Sequence, residues 1–542
     1  MEILLVTEGT YPHVRGGVSV WCDQMIKGLK THRFHVVALT ATGHEPAVYE
    51  LPENVDSLRL LPLWTTQRPS RRGRFAKRPD PSAAITLLEA ALSREPGACE
   101  DFESALFELF FQAHQPIRLI DVLRTDAVAS ALAEFWQHFH GGRGPALKLA
   151  DAMTALDLIE HALRPLSYRP PETHITHTVS NGLAALVGLA AKWTHGTPLI
   201  IAEHGVYLRE RYLALHSERL GWPVKAIVAA FTRRLCETGY RNADLITPCN
   251  EYNQRWEKRL GADPAKLRTV YNGVDPDRFP PAQGEPEEPT LVFVGRIDPL
   301  KDLHTLLRGF ALVLAELPTA RLRIFGGAPA GGEWYHEECL ALVQELGIGE
   351  AVIFEGQCNA VSDAYAAGHV VVLSSISEGL PFTVIEAMAC GRPNVGTEVG
   401  GVAEAIGDTG LVVPPRRPAE LAKACLTLLT EHDRRRELGK AARERALELF
   451  TIGRAVDIFD EIYNGLATAR APEPNREPVT ASDTALDSAL SDSALSDSAL
   501  SDSAVSGSAA SDSDAVSDRV ALDGAESPWA AEESSVPSGL AA

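Results

Sequence analysis

Two glutamates at positions 378 and 386 are the pair whose type and spacing could organise chemistry in this sequence. They lie in Ser374–Glu386, read as Ser-Ser-Ile-Ser-Glu-Gly-Leu-Pro-Phe-Thr-Val-Ile-Glu, just after the apolar run Val370-Val371-Val372-Leu373. Such a run suits a buried parallel strand. Pro381 is placed for the first turn of a helix, where its fixed φ and missing N–H are tolerated. Gly391 and Pro393 end that helix. Glu378 is thus expected in a strand-to-helix loop and Glu386 inside the helix. At ~1.5 Å rise per residue the two carboxylates can stand up to ~12 Å apart. That span suits a sugar–diphosphate–ribose unit. The helix start between them would offer free N–H groups to phosphate. One carboxylate could hold sugar hydroxyls and the other ribose hydroxyls. Spacing alone equally allows two solvated glutamates flanking a turn.

A second candidate set follows the apolar run Leu291–Val294, as Gly295-Arg296-Ile297-Asp298-Pro299-Leu300-Lys301. Arg296 can fork onto phosphate oxygens and Lys301 adds a point charge. Exposed cations are the plainer alternative. A third set closes the apolar strand Leu199–Ala202 as Glu203-His204-Gly205. This is the strand end at which open α/β sheets bind ligands. A fourth is the loop Glu8–Gly17 between the strand Ile3–Val6 and the helix Val18–Leu29. Its Gly16-Gly17 pair lets the backbone approach an anion, but Gly-x-Gly-x-x-Gly spacing is absent. His174 and His177 fall on opposite faces of an extended segment and read as structural rather than as a metal pair.

Ser377-Glu378-Gly379-Leu380-Pro381 with Glu386 resembles the Glu-x7-Glu motif of retaining glycosyltransferases of family 4. The segments Glu8–Pro12, Gly16–Trp21, Glu203–Tyr207 and Tyr271–Asp275 are similar to the PelF-like branch of that family, which serves exopolysaccharide synthesis. The resemblance spans Met1 to about Arg470. It implies an α/β GT-B fold, two Rossmann-like domains facing a cleft, and hexose transfer from a nucleotide sugar, with UDP-glucose favoured, to a glycan acceptor. It assigns catalytic roles to Arg296, Lys301, Glu378 and His204. Donor contacts fall to Gly17, Glu386, Gly379, Leu380, Pro381, Gln357 and Asn272. Cys358 and Asn359 are neighbours of the base. No metal and no cofactor are implied, because the two cations neutralise the leaving diphosphate. Arg392–Gly396 departs from the family pattern by its Asn394.

The elements that must position these groups form two domains, as expected for 542 residues. Residues 1–280 read as an N-terminal, acceptor-side Rossmann-like unit, with a helical insertion at about 65–170. In that insertion apolar residues recur three and four apart. Asn272-Gly273 reads as a tight turn at the crossing, and Pro280–Pro289 reads as the linker. Residues 281–452 read as the nucleotide-sugar domain, and 453–470 as a helix crossing back. The tail 471–542 repeats Ser-Ala-Leu-Ser-Asp and reads as disordered.

The net charge of −21 is uneven, since the tail holds 14 acidic and 2 basic residues. The mildly acidic body argues against nucleic-acid partners. The basic run Arg68–Arg78 reads as a solvated loop, an anionic-glycan contact or a lipid-surface contact. Eight scattered cysteines, no signal-peptide pattern and no long apolar span point to the cytosol. Contact with a membrane polysaccharide synthase complex would be peripheral. The rival reading is a non-catalytic nucleotide-sugar-binding scaffold or sensor of a polysaccharide export complex. A chain ending at Arg470 should stay soluble and keep its donor affinity. Loss of nucleotide-sugar binding in titration calorimetry would refute that expectation.

Overall fold

The computed structural model describes residues 1–66, 79–115, 117–139, 144–329, 331–358 and 360–470. The basic run Arg68–Arg78, Asn359 and the tail 471–542 lie outside the described residues. Among these residues the chain forms two six-stranded, all-parallel sheets.

The first sheet has strands β1 (Glu2–Glu8), β2 (Arg33–Thr40), β3 (Val55–Pro62), β4 (Ile175–Thr178), β5 (Leu199–Glu203) and β6 (Leu245–Pro248). Its order is β3-β2-β1-β4-β5-β6. Helix α1 (Gly17–Gly28) follows β1. The helical insertion comprises α2 (Ser82–Leu92), α3 (Ala98–Ala113), α4 (Leu119–Leu123), α5 (Asp126–Phe139) and α6 (Leu149–Leu163). It packs against α9 (Trp222–Asn242) through a core including Phe102, Trp136 and Phe231. Helices α7 (Leu183–His195), α8 (Tyr207–Ser217) and α10 (Glu251–Arg259) complete this half.

The second sheet has strands β7 (Thr290–Val294), β8 (Arg321–Phe325), β9 (Val352–Gly356), β10 (Val370–Leu373), β11 (Asn394–Thr397) and β12 (Leu411–Val413). Its order is β12-β11-β10-β7-β8-β9. Helices α11 (Leu303–Glu316), α12 (Glu333–Glu345), α13 (Val361–Ala366), α14 (Phe382–Ala389), α15 (Val402–Ile406), α16 (Pro418–Thr430) and α17 (His432–Leu449) surround it. Both sheets therefore reverse direction beside their first strand, β1/β4 in one and β7/β10 in the other. The crevice at such a switch point is where doubly wound sheets bind ligands.

Helix α18 (Ile452–Arg470) returns to the first sheet. Its Tyr463 hydroxyl lies 2.6 Å from His177 Nδ1, and Asp460 lies 2.7 Å from His32 Nε2. His177 is buried and serves this packing. Glu285, in the expected linker, pairs with Arg435 at 2.7 Å, so that segment is pinned to the second half.

Two readings need correction. Pro381 is the cap residue before α14, because its ψ of 125 is extended and the first helical residue is Phe382. Gly273 is not a left-handed turn residue. Val274 N–H donates to Phe450 O at 2.8 Å and Ile452 N–H to Val274 O at 2.9 Å, so the outgoing and returning chains run side by side. A Cβ on Gly273 would fall 2.5 Å from the Thr451 and Ile452 backbone. Gly273→Ala should cost about 1–3 kcal/mol, as overpacking does. A denaturant midpoint unchanged from wild type would disprove the tight crossing.

Candidate active site

Loops from β7 and β10, the strands flanking the second switch point, meet at the predicted chemistry. After β10 the chain passes Ser374 and Ser375, both fully buried. Ser374 Oγ donates to Lys301 O at 2.8 Å, and Ile376 N–H to Leu300 O at 2.8 Å. These bonds lay the Glu378 loop against the turn at Pro299–Lys301. That turn is itself capped by Asp298, whose Oδ1 accepts from Leu300 N–H at 3.0 Å. Lys301 Nζ then donates to Glu378 Oε1 at 2.5 Å, and Ser375 Oγ to the same oxygen at 2.6 Å. Lys301 and Glu378, expected to address phosphate and sugar separately, thus form one ion pair. A partly buried ammonium needs a counter-charge, and this carboxylate is within reach. Arg296 stands apart: its side chain is 65% exposed and its guanidinium pairs with Asp298 at 3.2 Å.

The 378–380 segment is seated on the first half by its backbone. Arg209 Nη2 donates to Glu378 O at 3.2 Å, and Asn272 Nδ2 to Leu380 O at 3.2 Å. A Cβ on Gly379 would stand 1.9 Å from His204 O, so glycine is required there by the close approach. Gly379 O accepts from Gly401 N–H at 2.8 Å. Asn272 therefore braces the two halves. The Leu380 side chain is in the core with Val384 and Ile385 and its carbonyl is held by Asn272, so the residue supports the loop and does not offer itself to a ligand. Helix α14 starts after Pro381 with no side-chain cap. A Cβ on Gly17 would lie 3.3 Å from Phe382 Cδ2, so the uncapped starts of α1 and α14 face one another.

Glu386 is half-buried in α14, and its Oε2 accepts from the Tyr365 hydroxyl at 2.6 Å. Gln357 is exposed after β9, beside Gly327. It belongs to a ring of loops linked by Ile297 N–H to Gly327 O at 3.0 Å and Gly326 N–H to Gly356 O at 2.7 Å. His204 lies with its ring 4.7 Å from that of Trp21. Sequence reasoning missed Tyr365, Ser375 and the cross-domain role of Arg209. It also missed Glu404, whose carboxylate accepts from Glu251 N–H at 2.9 Å and caps α10 from the other half. Arg209, two residues past the Glu203–Tyr207 segment, and Ser375, inside Ser374–Glu386, stood beside or within stretches that carried a sequence signal.

Comparison with known proteins agrees with this architecture. Residues 288–431 match the family described as "Glycosyl transferases group 1", and residues 1–265 match a domain of unknown function (DUF3492). D-inositol 3-phosphate glycosyltransferase 2 of Catenulispora acidiphila is 31% identical over 317 residues, covering 54% of this chain and 71% of that protein. The chain belongs to the group 1 glycosyltransferases. A Kineococcus radiotolerans D-inositol 3-phosphate glycosyltransferase is 34% identical, but the match covers 40% of this chain and 56% of that protein. Among solved structures, a sucrose-phosphate synthase from Thermosynechococcus elongatus shares the fold with TM-score 0.57 and 21% identity, over 86% of this chain and 99% of that one. Anabaena HepE in complex with UDP-glucose does so with TM-score 0.55 and 16% identity, over 86% and 100%. The two sheets are the two halves of a GT-B fold. Among the described residues no helix is long and apolar enough to cross a membrane.

In this glycosyltransferase, burial tunes the groups lining the seam. It raises Glu386 above the ordinary carboxylate range, while the Tyr365 hydrogen bond and the Arg278 charge oppose the shift. It lowers His204 to about 4, with Asn272 opposing. His204 is therefore neutral at physiological pH and can offer a hydrogen bond but no charge. Its ordinary value is about 6.5, so the unfolded chain takes up this proton first. Its contribution to stability is complete above pH ~6.5 and declines as pH falls toward 4. The His204 ring signals in NMR should stay fixed from pH 8 to pH 5. A midpoint between 6 and 7 would contradict the neutral ring.

Proposed function

We propose that the protein is a retaining hexosyltransferase that moves glucose from UDP-glucose to a glycan acceptor, in exopolysaccharide synthesis of the PelF-like kind. One observation carries the reading: Lys301 and Glu378 meet at the switch point of the second sheet, beside a helix start with free N–H groups. Membership of the group 1 glycosyltransferases supports the transfer chemistry, and the shared fold with the UDP-glucose complex of HepE supports the donor class.

In this reading the diphosphate lies at the N-terminus of α14, where unpaired N–H groups and the helix dipole favour anions. Lys301 and Arg296 neutralise the charge that grows on the leaving phosphate, the task a divalent ion performs in other enzymes. Arg296 reaches it by turning from Asp298, which its exposure allows. Phosphate competes with Glu378 for Lys301, so donor binding frees the Glu378 carboxylate for the sugar hydroxyls. Glu386, steadied by Tyr365, takes the ribose hydroxyls. The neutral His204 offers a hydrogen bond to the hexose. Glu378 addresses hydroxyls and Glu386 is a ribose ligand, so neither is a nucleophile in this arrangement. Double displacement would need a carboxylate close beneath the anomeric carbon. The leaving phosphate oxygen is then the base for the acceptor hydroxyl: the new C–O bond forms on the face the phosphate leaves, and the phosphate carries off the proton.

An α-linked donor should therefore give an α-linked product. Glu378→Gln should slow turnover strongly without weakening UDP, because the phosphate no longer competes with a carboxylate for Lys301. Replacing Arg296 and Lys301 together should weaken UDP by several kcal/mol, at ~1.5–3 kcal/mol per charged hydrogen bond, and spare uridine. NMR of the product linkage and calorimetry of UDP and uridine decide the matter. A β-linkage from an α-donor would overturn the mechanism.

A further inference from the structure

The switch point of the first sheet holds a feature that donor chemistry leaves unused. Glu8 ends β1, and its Oε1 accepts from the Tyr207 hydroxyl at 3.0 Å. The Ala184 N–H, in the first turn of α7, also faces this carboxyl group. The other oxygen, Oε2, is buried and makes no hydrogen bond. Glu8 is among the residues lining a cavity of about 170 Å³, with Trp64, Ile159, Tyr207, Arg211 and Phe231. This is room for about five or six waters at roughly 30 Å³ each, or for one ring-sized group. A buried polar atom without a partner is costly, and a ligand hydroxyl would satisfy it once a small turn of the Glu8 carboxyl group brings it to the cavity wall. Burial raises Glu8 to about 7, so near neutral pH the group both donates and accepts.

The rest of the lining discriminates between ligands. Trp64 is 53% exposed at the rim and stacks on His161 with ring centroids 4.9 Å apart. An exposed indole face beside hydroxyl-bonding groups suits the C–H face of a pyranose. Arg211 is the cation of the lining, and it is already paired with Glu218 at 2.8 Å. A phosphate placed here would meet the Glu8 carboxyl group and no free positive charge. One wall of the cavity and one support of the donor loop belong to the same helix. Tyr207 and Arg209 share the first turn of α8, and Arg209 holds the carbonyl of Glu378.

We propose that this cavity is the acceptor pocket, built for the neutral terminal sugar of a glycan and not for a phosphorylated polyol. Glu8 and Tyr207 hold its hydroxyls and Trp64 covers its apolar face. The assignment rests on the transferase reading above for its meaning, but it can be measured without turnover. Calorimetry on the full chain should show cellobiose binding and D-inositol 3-phosphate failing to compete. Glu8→Gln and Trp64→Ala should each weaken cellobiose by about tenfold, the loss of one good contact, and leave UDP-glucose affinity within about twofold. Tighter binding of D-inositol 3-phosphate than of cellobiose would overturn the assignment. So would absence of cellobiose binding, or equal losses for cellobiose and UDP-glucose in the variants. Cellobiose bound as expected, with UDP-glucose failing to bind, would sink the transferase reading and leave the pocket standing. Transfer to cellobiose that both variants perform with unchanged acceptor KM would do the reverse.

Discussion

The backbone of one half meets the backbone of the other where Gly379 lies on the carbonyl of His204. No side chain fits between them, and this approach sets the position of everything on either side. Carbonyl oxygens at 378, 379 and 380 each accept a hydrogen bond, from Arg209, Gly401 and Asn272. A loop held at three successive carbonyls has little freedom left, so Glu378 is delivered to Lys301 by the backbone. Preorganisation of this kind is what electrostatic stabilisation of a leaving group requires.

Polar capping and apolar packing share the seam. Glu404 satisfies N–H groups at the start of α10 that would otherwise face across the boundary unpaired. Beside it, Cys249 and Val274 from the first half join Leu380, Val384 and Ile385 of the second in one buried cluster. Docking is therefore specified by direction as well as by area, since hydrogen bonds fix register and apolar contact alone does not.

Much of this was legible in the sequence. The valine run before Ser374, Pro381 and Gly391 are local signals, and they placed Glu378 in a loop and Glu386 in a helix. The three- and four-residue recurrence of apolar side chains exposed the insertion for the same reason. Local signals stop at pairing over distance. Nothing near Lys301 in the chain shows that its ammonium meets a carboxylate 77 residues on, or that Tyr365 braces Glu386. Asn272-Gly273 was misread because a glycine needed for clearance looks, in sequence, like a glycine needed for its φ.

The crossing at Val274 and Thr451 constrains how the cleft can work. Two segments of the same chain pass there side by side, one leaving the first half and one returning to it, tied by hydrogen bonds on both sides of Val274. Such a junction prevents the halves from sliding past or drifting from one another at that point. Any opening of the cleft would have to be a rotation about it, and displacement in a rotation grows with distance from the axis. Asn272, next to the crossing, would then move least, and contacts farther out would part first, as the outer margin of a book opens before its spine.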